Sequence, residues 1–410
     1  MKMAVMLLIA AFLVEAAPAF AVEETDMAEQ PAAAHKHLAG LTRAPGGAVF
    51  LNGEAFRGIG MQYHDCFSRR LINHKDTSYR EGFRELASYG VPFVRFQACG
   101  FYASEMRQYL DDKDAYFAIM DDVVATAKEN GVGLMPSLFW WLACVPDLVG
   151  EPVNQWGNPE SKTRAFMREY TTEMVTRYKD SPAIYAWEFG NEYNLAMDLP
   201  NAMDVLPAIV PHLGTPESRS EKDVLTFDMV HGAFVEFAET VRRYDPNRLI
   251  STGNAVSRPS SHHQRIEGTW APDSKEEFLQ HLIDVNPDPM DTISVHVYPG
   301  MLEEGYFGKE RVTYEELMYL CMKAAEKSGK VLFLGEFGAP DNVEGGRELA
   351  RIENRKLFEA ILATGVPLSS YWVYDFSHQD HFINVTSTNH RSYVLDMVKK
   401  ANQTLRAAGN

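Results

Sequence analysis

The stretch Ala183–Asn194 reads AIYAWEFGNEYN, and its pattern decides which fold the chain can adopt. An apolar, aromatic run ends abruptly in a Gly-Asn-Glu turn that finishes at Glu192. Such a run, bounded by turn residues, indicates a strand buried on both faces, as in a parallel sheet. A second run, Val331–Phe337 (VLFLGEF), has Glu336 next to its end. The sequence therefore predicts two buried strands, each carrying a glutamate at its carboxyl end.

Strand-like runs alternate with amphipathic helical patterns along the chain. The eight runs are Arg57–Tyr63, Pro92–Ala98, Val132–Phe139, Ala183–Gly190, Leu249–Thr252, Thr292–Tyr298, Val331–Glu336 and Leu368–Tyr374. This alternation predicts a parallel sheet, and eight strands close a (β/α)8 TIM barrel. The segment AVFLNGEAF has Asn52-Gly53 between two apolar stretches, which predicts an N-terminal β-hairpin that could close the barrel bottom. The predicted fold class is α/β, a single-domain (β/α)8 TIM barrel with that hairpin.

Three segments divide the chain. Residues 1–21 combine Lys2, an apolar core and an Ala-Phe-Ala cleavage site, which is typical of a secretory signal peptide. Residues 22–45 are polar, Ala-rich and aperiodic, which indicates a disordered leader or linker. Residues 46–410 are predicted to form the catalytic barrel domain. We therefore expect a secreted protein, extracellular or periplasmic, without a membrane anchor after cleavage; an uncleaved anchor is the alternative.

The net charge of −17 restricts the partners of the protein. Phosphates of nucleic acid and of an anionic membrane would be repelled, so a neutral substrate fits better. Four cysteines in an exported chain permit a disulfide but do not indicate a disulfide scaffold. A Cys99–Cys144 bond is one open possibility. No Cys-x-x-Cys spacing supports a metal, and we expect a monomer.

The alternation of side chains along strands indicates which residues point into the barrel mouth. In TISVHVYPG the aliphatic residues share one face, so His296 and Tyr298 should point inward. In PFVRFQACG the same reasoning places Arg95 inside, where it needs carboxylate partners such as Glu188. Any one of these residues alone would be read as a structural residue. Their coincidence at the ends of several strands favours a functional site.

Five ordered motifs carry a family resemblance. They are Arg95, the WEFGNE run ending at Glu192, His296-Val297-Tyr298, the LGEFG run around Glu336, and Trp372. Together they resemble the signature set of glycoside hydrolase family 5, in clan A of the retaining glycosidases, over about residues 50–376.

The resemblance implies a role for each matching residue. Glu192 would be the acid/base and Glu336 the nucleophile of a double displacement, with their carboxyl groups about 5–5.5 Å apart. The implied substrate-binding residues are Asn191 at the sugar 2-hydroxyl, Arg95 and Tyr298 at the nucleophile, His296 near the acid/base, and Trp372 as the floor of the −1 subsite. No metal and no cofactor is expected.

Two departures from the family pattern leave the sugar open. The third strand, LMPSLFWWLAC, lacks the usual histidine, and Gln62 replaces the usual asparagine of the first strand. Aromatic residues at strand ends are candidate stacking platforms for sugar rings or, equally, core residues. These residues are Trp140, Trp141, Trp156, Tyr193, Trp270 and Tyr374. His378 and His381 could be read as a metal pair, but no third ligand has recognisable spacing.

The sequence therefore predicts a secreted retaining β-glycoside hydrolase that cleaves a β-1,4-linked polysaccharide of the mannan or glucan type. An exo-β-glycosidase or transglycosylase acting on oligosaccharides is one alternative. Long segments after the fourth and fifth strands, residues 194–222 and 253–275, could wall off one end of a cleft. A non-catalytic glycan-binding barrel is the other alternative.

Overall fold

The computed structural model describes residues 39–408, and the barrel strands lie close to their predicted positions. A small antiparallel sheet contains β1 (Leu41–Arg43), β2 (Val49–Leu51) and β3 (Glu54–Ala55). The barrel strands are β4 (Gly58–Gln62), β5 (Phe93–Gln97), β6 (Gly133–Phe139), β7 (Ala186–Gly190), β8 (Leu249–Ser251), β9 (Thr292–Val297), β10 (Val331–Phe337) and β11 (Leu368–Tyr371).

Helices alternate with these strands. They are α1 (Ser68–Ile72), α2 (Tyr79–Ser88), α3 (Ala103–Asp111), α4 (Lys113–Glu129), α5 (Cys144–Val149), α6 (Lys162–Tyr178), α7 (Phe227–Tyr244), α8 (Ser261–Glu267), α9 (Lys275–Asp284), α10 (Tyr314–Ser328), α11 (Gly346–Thr364) and α12 (Tyr393–Ala408). Local chemistry sets their ends. In α10, the Thr313 side chain accepts a hydrogen bond from Glu316 N, and Gly329 ends the helix in the left-handed conformation.

The barrel strands form one parallel sheet of eight in the order β8-β7-β6-β5-β4-β11-β10-β9. The two edge strands also approach each other, because the backbone N–H of Asp291, just before β9, donates to Ile250 O in β8 at 2.9 Å. The sheet is thus nearly closed, and helices surround it. The predicted (β/α)8 TIM barrel is confirmed.

The interior of the barrel changes character from bottom to top. At the bottom, side chains from the strand starts form an apolar cluster that includes Phe93, Met135 and Val331, and Leu41 and Val49 of the small sheet pack against it. Towards the carboxyl ends of the strands the interior is polar and equally buried. The polar residues there are Gln62, Arg95, Gln97, Ser137, Glu188, Ser251, Ser294, His296, Glu336 and Ser370.

The start of the folded domain requires a correction. The sequence placed it at Gly46, yet β1 already spans Leu41–Arg43, and Leu41 N donates to Tyr185 O at 2.8 Å. The Ala-rich composition of the preceding residues hid this short strand. The signal peptide predicted at residues 1–21 and the leader up to residue 38 lie outside the described residues and stay predictions. Between residues 39 and 408, no helix is both long and apolar enough to cross a bilayer.

The cysteines are all free thiols, so the possible Cys99–Cys144 bond is not present. Each of the two sulfurs has its own backbone partner. Cys99 Sγ accepts from Trp140 N at 3.4 Å, and Cys144 Sγ donates to Gly100 O at 3.3 Å. Burial raises the pKa of both thiols, which keeps them protonated.

Gly253, two residues after the end of β8, gives a test of how tightly the top of the barrel is packed. Its φ is +74°, and a Cβ there would lie 1.9 Å from Gly190 O and 2.9 Å from Glu188 Cδ. Gly268 has a similar φ of +66° but nothing within 4 Å of a Cβ. We expect Gly253→Ala to lower the free energy of unfolding by about 3 kcal/mol and Gly268→Ala by about 1 kcal/mol. Urea unfolding measures both, and equal losses would show that close approach is not the constraint.

Candidate active site

Arg95 lies at the centre of the polar upper half of the barrel and has no solvent exposure. Its guanidinium donates from Nε to Glu188 Oε1 at 2.6 Å and from Nη1 to Glu336 Oε1 at 2.7 Å. Nη2 donates to Asn191 Oδ1 at 2.9 Å. A buried cation needs such partners. Arg95 therefore ties the ends of β5, β7 and β10 together, as the alternation of side chains predicted.

Glu336 owes its direction to an irregularity in β10. The pairing of β10 with β9 shifts register between Leu334 and Glu336, so that Glu336 lies opposite His296. Such a bulge re-aims a side chain. The residue at the shift must be small, since a Cβ on Gly335 would lie 2.9 Å from His296 Nε2. The Tyr298 hydroxyl donates to Glu336 Oε2 at 2.7 Å, so both carboxylate oxygens accept a hydrogen bond.

Glu192 lies in the turn directly after β7, in the left-handed conformation with φ 56° and ψ 29°. A non-glycine residue stays there only where surrounding structure holds it. Its Oε1 lies 2.8 Å from His296 Nδ1, and the same nitrogen lies 3.6 Å from Glu336 Oε2. One side-chain oxygen of each glutamate and one ring nitrogen of His296 lie within 4.8 Å of one another. The two predicted carboxylates are thus neighbours at the barrel mouth.

Burial shifts the protonation equilibria of the groups around these carboxylates. It raises the pKa of Glu192 above the ordinary 4.5, and the charge of Arg95 offsets only part of that shift. Burial lowers the pKa of His296 to about 3 and raises the pKa of Tyr298 well above 10. His296 and Tyr298 are therefore uncharged at neutral pH. The contact between Glu192 and His296 is then a neutral imidazole hydrogen bond and not an ion pair.

A cleft of about 590 Å³ opens above Glu192 and Glu336. Trp140 and Trp372 line it with nearly parallel rings whose centroids are 6.1 Å apart. The Trp372 indole is oriented by a hydrogen bond from Nε1 to Gln379 Oε1 at 2.7 Å. The cleft therefore combines the buried Glu336 and the partly exposed Glu192 with flat apolar walls.

Several predicted aromatic platforms lie elsewhere. Trp141 is beside the cleft, stacked on Phe101 with ring centroids 5.4 Å apart, and it lines a separate hollow with residues of the 194–225 segment. For Trp156, Tyr193 and Tyr374 the alternative of a core residue holds, since all three are buried. Trp156 and Tyr193 pack against Phe189, and Tyr374 packs against Tyr63. Trp270 lies on the surface, 55% exposed.

The cleft wall also contains residues that the sequence did not single out. They are His64, Phe101, Phe376, Gln379 and Phe382. The His64 ring packs 4.6 Å from Trp140 and 4.7 Å from Phe376, and burial lowers the pKa of His64 to about 3. A histidine just after the first barrel strand was the available signal. The loop residues after β11 gave none, since their direction depends on how that loop folds.

The long segments after β7 and β8 do not line the cleft. Its lining residues come from the ends of the other strands and from the turn at Asn191 and Glu192. The segment 194–222 packs beside Trp141, and residues 253–258 pack under the Glu192 turn. The space around the two glutamates is therefore lined without either segment, and the possibility that they wall off one end of a longer cleft stays a prediction.

The atoms of Glu192, His296 and Glu336 have the chemistry of metal ligands as well. The two oxygens of Glu336, however, already accept hydrogen bonds from Arg95 and Tyr298. A second cation would lie beside the Arg95 guanidinium, where like charges repel. The donor set therefore fits a hydrogen-bonded acid pair better than a metal centre. In the described part of the chain, no metal-ligand cluster contains His378 or His381.

Solved structures share the fold. An endo-1,4-beta-mannanase from Rhizomucor miehei superposes with a TM-score of 0.62 and 14% identity, covering 90% of this chain and 99% of that one. An exo-beta-1,4-mannosidase from Opitutaceae bacterium strain TAV5 superposes with a TM-score of 0.58 and 15% identity, covering 89% of this chain and 63% of that one. At these identities the likeness shows the fold alone.

Curated relatives match shorter regions. A probable mannan endo-1,4-beta-mannosidase F of Aspergillus flavus is 26% identical over 141 residues, which is 33% of this chain and 24% of that protein. A probable mannan endo-1,4-beta-mannosidase C of Aspergillus terreus is 27% identical over 192 residues, 44% of this chain and 41% of that protein. The matched regions span less than half of these relatives.

The family model described as cellulase (glycosyl hydrolase family 5) matches residues 51–377. That region is most of the chain and contains both glutamates, the arginine and the cleft tryptophans. The predicted family is therefore confirmed: this chain belongs to glycoside hydrolase family 5.

Proposed function

We propose that the protein is a retaining β-glycoside hydrolase in which Glu336 is the nucleophile and Glu192 the acid/base. One observation carries the proposal: an oxygen of Glu192 and an oxygen of Glu336 lie within 4.8 Å of each other, in unlike surroundings. Retaining enzymes hold their carboxyl groups about 5–5.5 Å apart, whereas inverting enzymes need about 6.5–9.5 Å to fit a water. The spacing supports double displacement.

The surroundings of Glu336 suit a nucleophile. A nucleophilic carboxylate must be charged when it attacks, and hydrogen bonds to the charged form favour that form. Arg95 and Tyr298 each donate to one oxygen of Glu336. The same two contacts fix the direction of the carboxylate, which reduces the entropy lost on reaching the transition state.

The surroundings of Glu192 suit an acid that later becomes a base. Burial raises its pKa, which favours the protonated form from which a general acid must start. His296 is neutral and lies 2.8 Å away. A neutral imidazole can accept a hydrogen bond from the protonated acid and, in its other tautomer, donate one to the carboxylate. His296 can therefore serve both halves of the cycle without carrying a charge.

The proposed hydrolysis proceeds by two displacements at the anomeric carbon. Glu336 forms a bond to the anomeric carbon while the glycosidic bond breaks, and Glu192 gives its proton to the departing oxygen. A water then transfers one proton to Glu192 as its oxygen attacks the anomeric carbon, which releases Glu336. The sugar leaves with its original configuration. Asn191, on the turn beside Glu192, and Trp372 are proposed to bind the sugar in the −1 subsite, and Trp140 to stack on it.

The proposed substrate is a β-1,4-linked polysaccharide of the mannan or glucan type. The names of the curated relatives refer to mannan, which supports mannan as the first candidate. The net charge of −17 also suits a neutral polymer. We further propose that the barrel domain acts as a secreted monomer after removal of residues 1–21.

Replacing the nucleophile tests the proposal directly. We expect Glu336→Ala to lower hydrolysis of the preferred glycan by more than roughly 1,000-fold, because the first displacement loses its attacking group. Product release is measured on glucomannan, galactomannan, carboxymethyl cellulose, xyloglucan and mixed-linkage glucan.

Glu353→Ala is the matched control. Glu353 is also a buried glutamate, but it lies on helix α11 and accepts a hydrogen bond from the Tyr314 hydroxyl of helix α10. Its activity should stay within a few-fold of wild type. Persisting activity in Glu336→Ala would overturn the site. Binding of one glycan without hydrolysis by wild type would favour a non-catalytic binding barrel. Release of single sugars alone would favour exo action.

The pH profile tests the acid. Glu192 acts in its protonated form, and its pKa is raised, so kcat/KM should fall as pH rises through a value above 4.5. Glu192→Gln cannot titrate. With a phenyl β-glycoside, whose leaving group needs the proton, we expect wild type to show that basic limb and the residual activity of the variant to lack it. An unchanged limb in Glu192→Gln would assign it to another group.

A further inference from the structure

The turn that contains Glu192 is hydrogen-bonded to the segment after β8. The Glu192 backbone N–H donates to Gly253 O at 2.9 Å, and the Gly190 N–H donates to Thr252 O at 3.3 Å. These bonds hold the backbone on which the left-handed residue sits. They do not by themselves hold the 3-10 turn Tyr193–Ala196 that follows.

Asn194 fixes that following turn to the same segment. Its side-chain amide donates to Ala255 O at 2.9 Å, and its side-chain oxygen accepts from Ala255 N at 3.0 Å. Asn194 is 5% exposed, so water does not compete with this reciprocal pair. An amide is the side chain that can both donate and accept here.

Arg258 adds a second attachment. Its guanidinium donates to Leu195 O at 2.7 Å, to Met197 O at 2.8 Å and to Asn194 O at 3.3 Å. Its Nε donates to Gln264 Oε1 at 2.8 Å. Among the described residues Arg258 makes no ion pair within 4 Å. Its Nη1 and Nη2 groups donate their hydrogen bonds to backbone carbonyls just after Glu192. Neither Asn194 nor Arg258 lines the cleft.

We propose that Asn194 and Arg258 are positioning residues for proton transfer: they latch the turn after Glu192 to the segment after β8 and so keep the Glu192 carboxyl aimed at the leaving-group oxygen. This inference rests on the proposed function of Glu192. When the latch is lost, the left-handed residue relaxes and the carboxyl moves. Glu336 stays in place, because its bonds come from Arg95 and Tyr298.

Loss of these contacts should slow substrates with poor leaving groups more than substrates with good ones. In the first displacement, the C–O bond breaks as the Glu192 proton passes to the departing oxygen, and a poor leaving group cannot depart without it. A misplacement of about 1 Å costs roughly 100-fold in such a step. A 2,4-dinitrophenolate leaves without protonation, so its departure depends on Glu336 alone. A general loss of structure would slow both substrates equally.

The experiment compares kcat/KM for 2,4-dinitrophenyl and phenyl β-mannobiosides, with the corresponding β-cellobiosides in parallel. For Asn194→Ala and Arg258→Lys we expect a loss of about 100-fold on the phenyl glycoside and less than about 3-fold on the dinitrophenyl glycoside. Lysine keeps the charge, but its single nitrogen cannot reach all three carbonyls. Glu192→Ala supplies the reference pattern of a missing acid.

Tyr306→Phe is the matched control. The Tyr306 hydroxyl donates to Ser257 O at 2.7 Å, so it anchors the same segment from the side away from Glu192. The phenylalanine variant loses a buried hydrogen bond but keeps the latch. We expect it to treat both leaving groups alike.

Equal losses on the two substrates, or none, in both Asn194→Ala and Arg258→Lys would overturn the proposal. If one variant does not fold, as judged by circular dichroism, the other decides. Wild type that hydrolyses neither glycoside would mean failure of the proposed function itself, which is a different result. A leaving-group effect in Tyr306→Phe equal to that in Asn194→Ala would also overturn it, because the latch would then not be specific.

Discussion

The buried positive charge of Arg95 is the constraint on which the upper half of the barrel depends. A guanidinium without solvent exposure costs several kcal/mol of desolvation unless its neighbours compensate. Glu188 and Glu336 supply carboxylates, and Asn191 supplies an amide oxygen. These groups come from strands that are far apart in sequence. The partners of Arg95 therefore fix the relative positions of β5, β7 and β10, and Arg95 holds the Glu336 carboxylate in the direction that the register shift in β10 gives it.

Glu188, Glu336 and Glu192 differ in how they contact Arg95 and the cleft. Glu188 lies beneath the cleft with no exposure, so it balances Arg95 but cannot reach a ligand. Glu336 shares Arg95 and also borders the cleft. Glu192 has no direct bond to the guanidinium; its partner is the neutral His296. The three carboxyl groups thus have three environments: Glu188 and Glu336 both bond to Arg95 but only Glu336 borders the cleft, and Glu192 borders the cleft without a bond to Arg95.

Strand periodicity explains how much could be predicted. Alternation placed Arg95, His296 and Tyr298 inside the barrel, and buried runs ending in Gly-Asn-Glu and Gly-Glu located the two carboxylates. These signals are local, because the direction of a side chain on a strand follows from its neighbours. For Trp156 and Tyr193 the choice between stacking platform and core residue stayed open, because they follow strands, where no period applies. The register shift at Gly335 depends on pairing with β9, which no single segment encodes.

The two proposed catalytic groups are held by different kinds of structure. Glu336 is fixed through its side chain, by donors that belong to the barrel interior. Glu192 is fixed mainly through its backbone, by a neighbouring segment that bonds to the turn on both sides of it. A carboxyl that must alternate between acid and base cannot be bound tightly by a cation, since that would favour one protonation state. Backbone anchoring positions the group without biasing its charge, which is why the segment after β8 belongs to the chemistry although it lies outside the cleft.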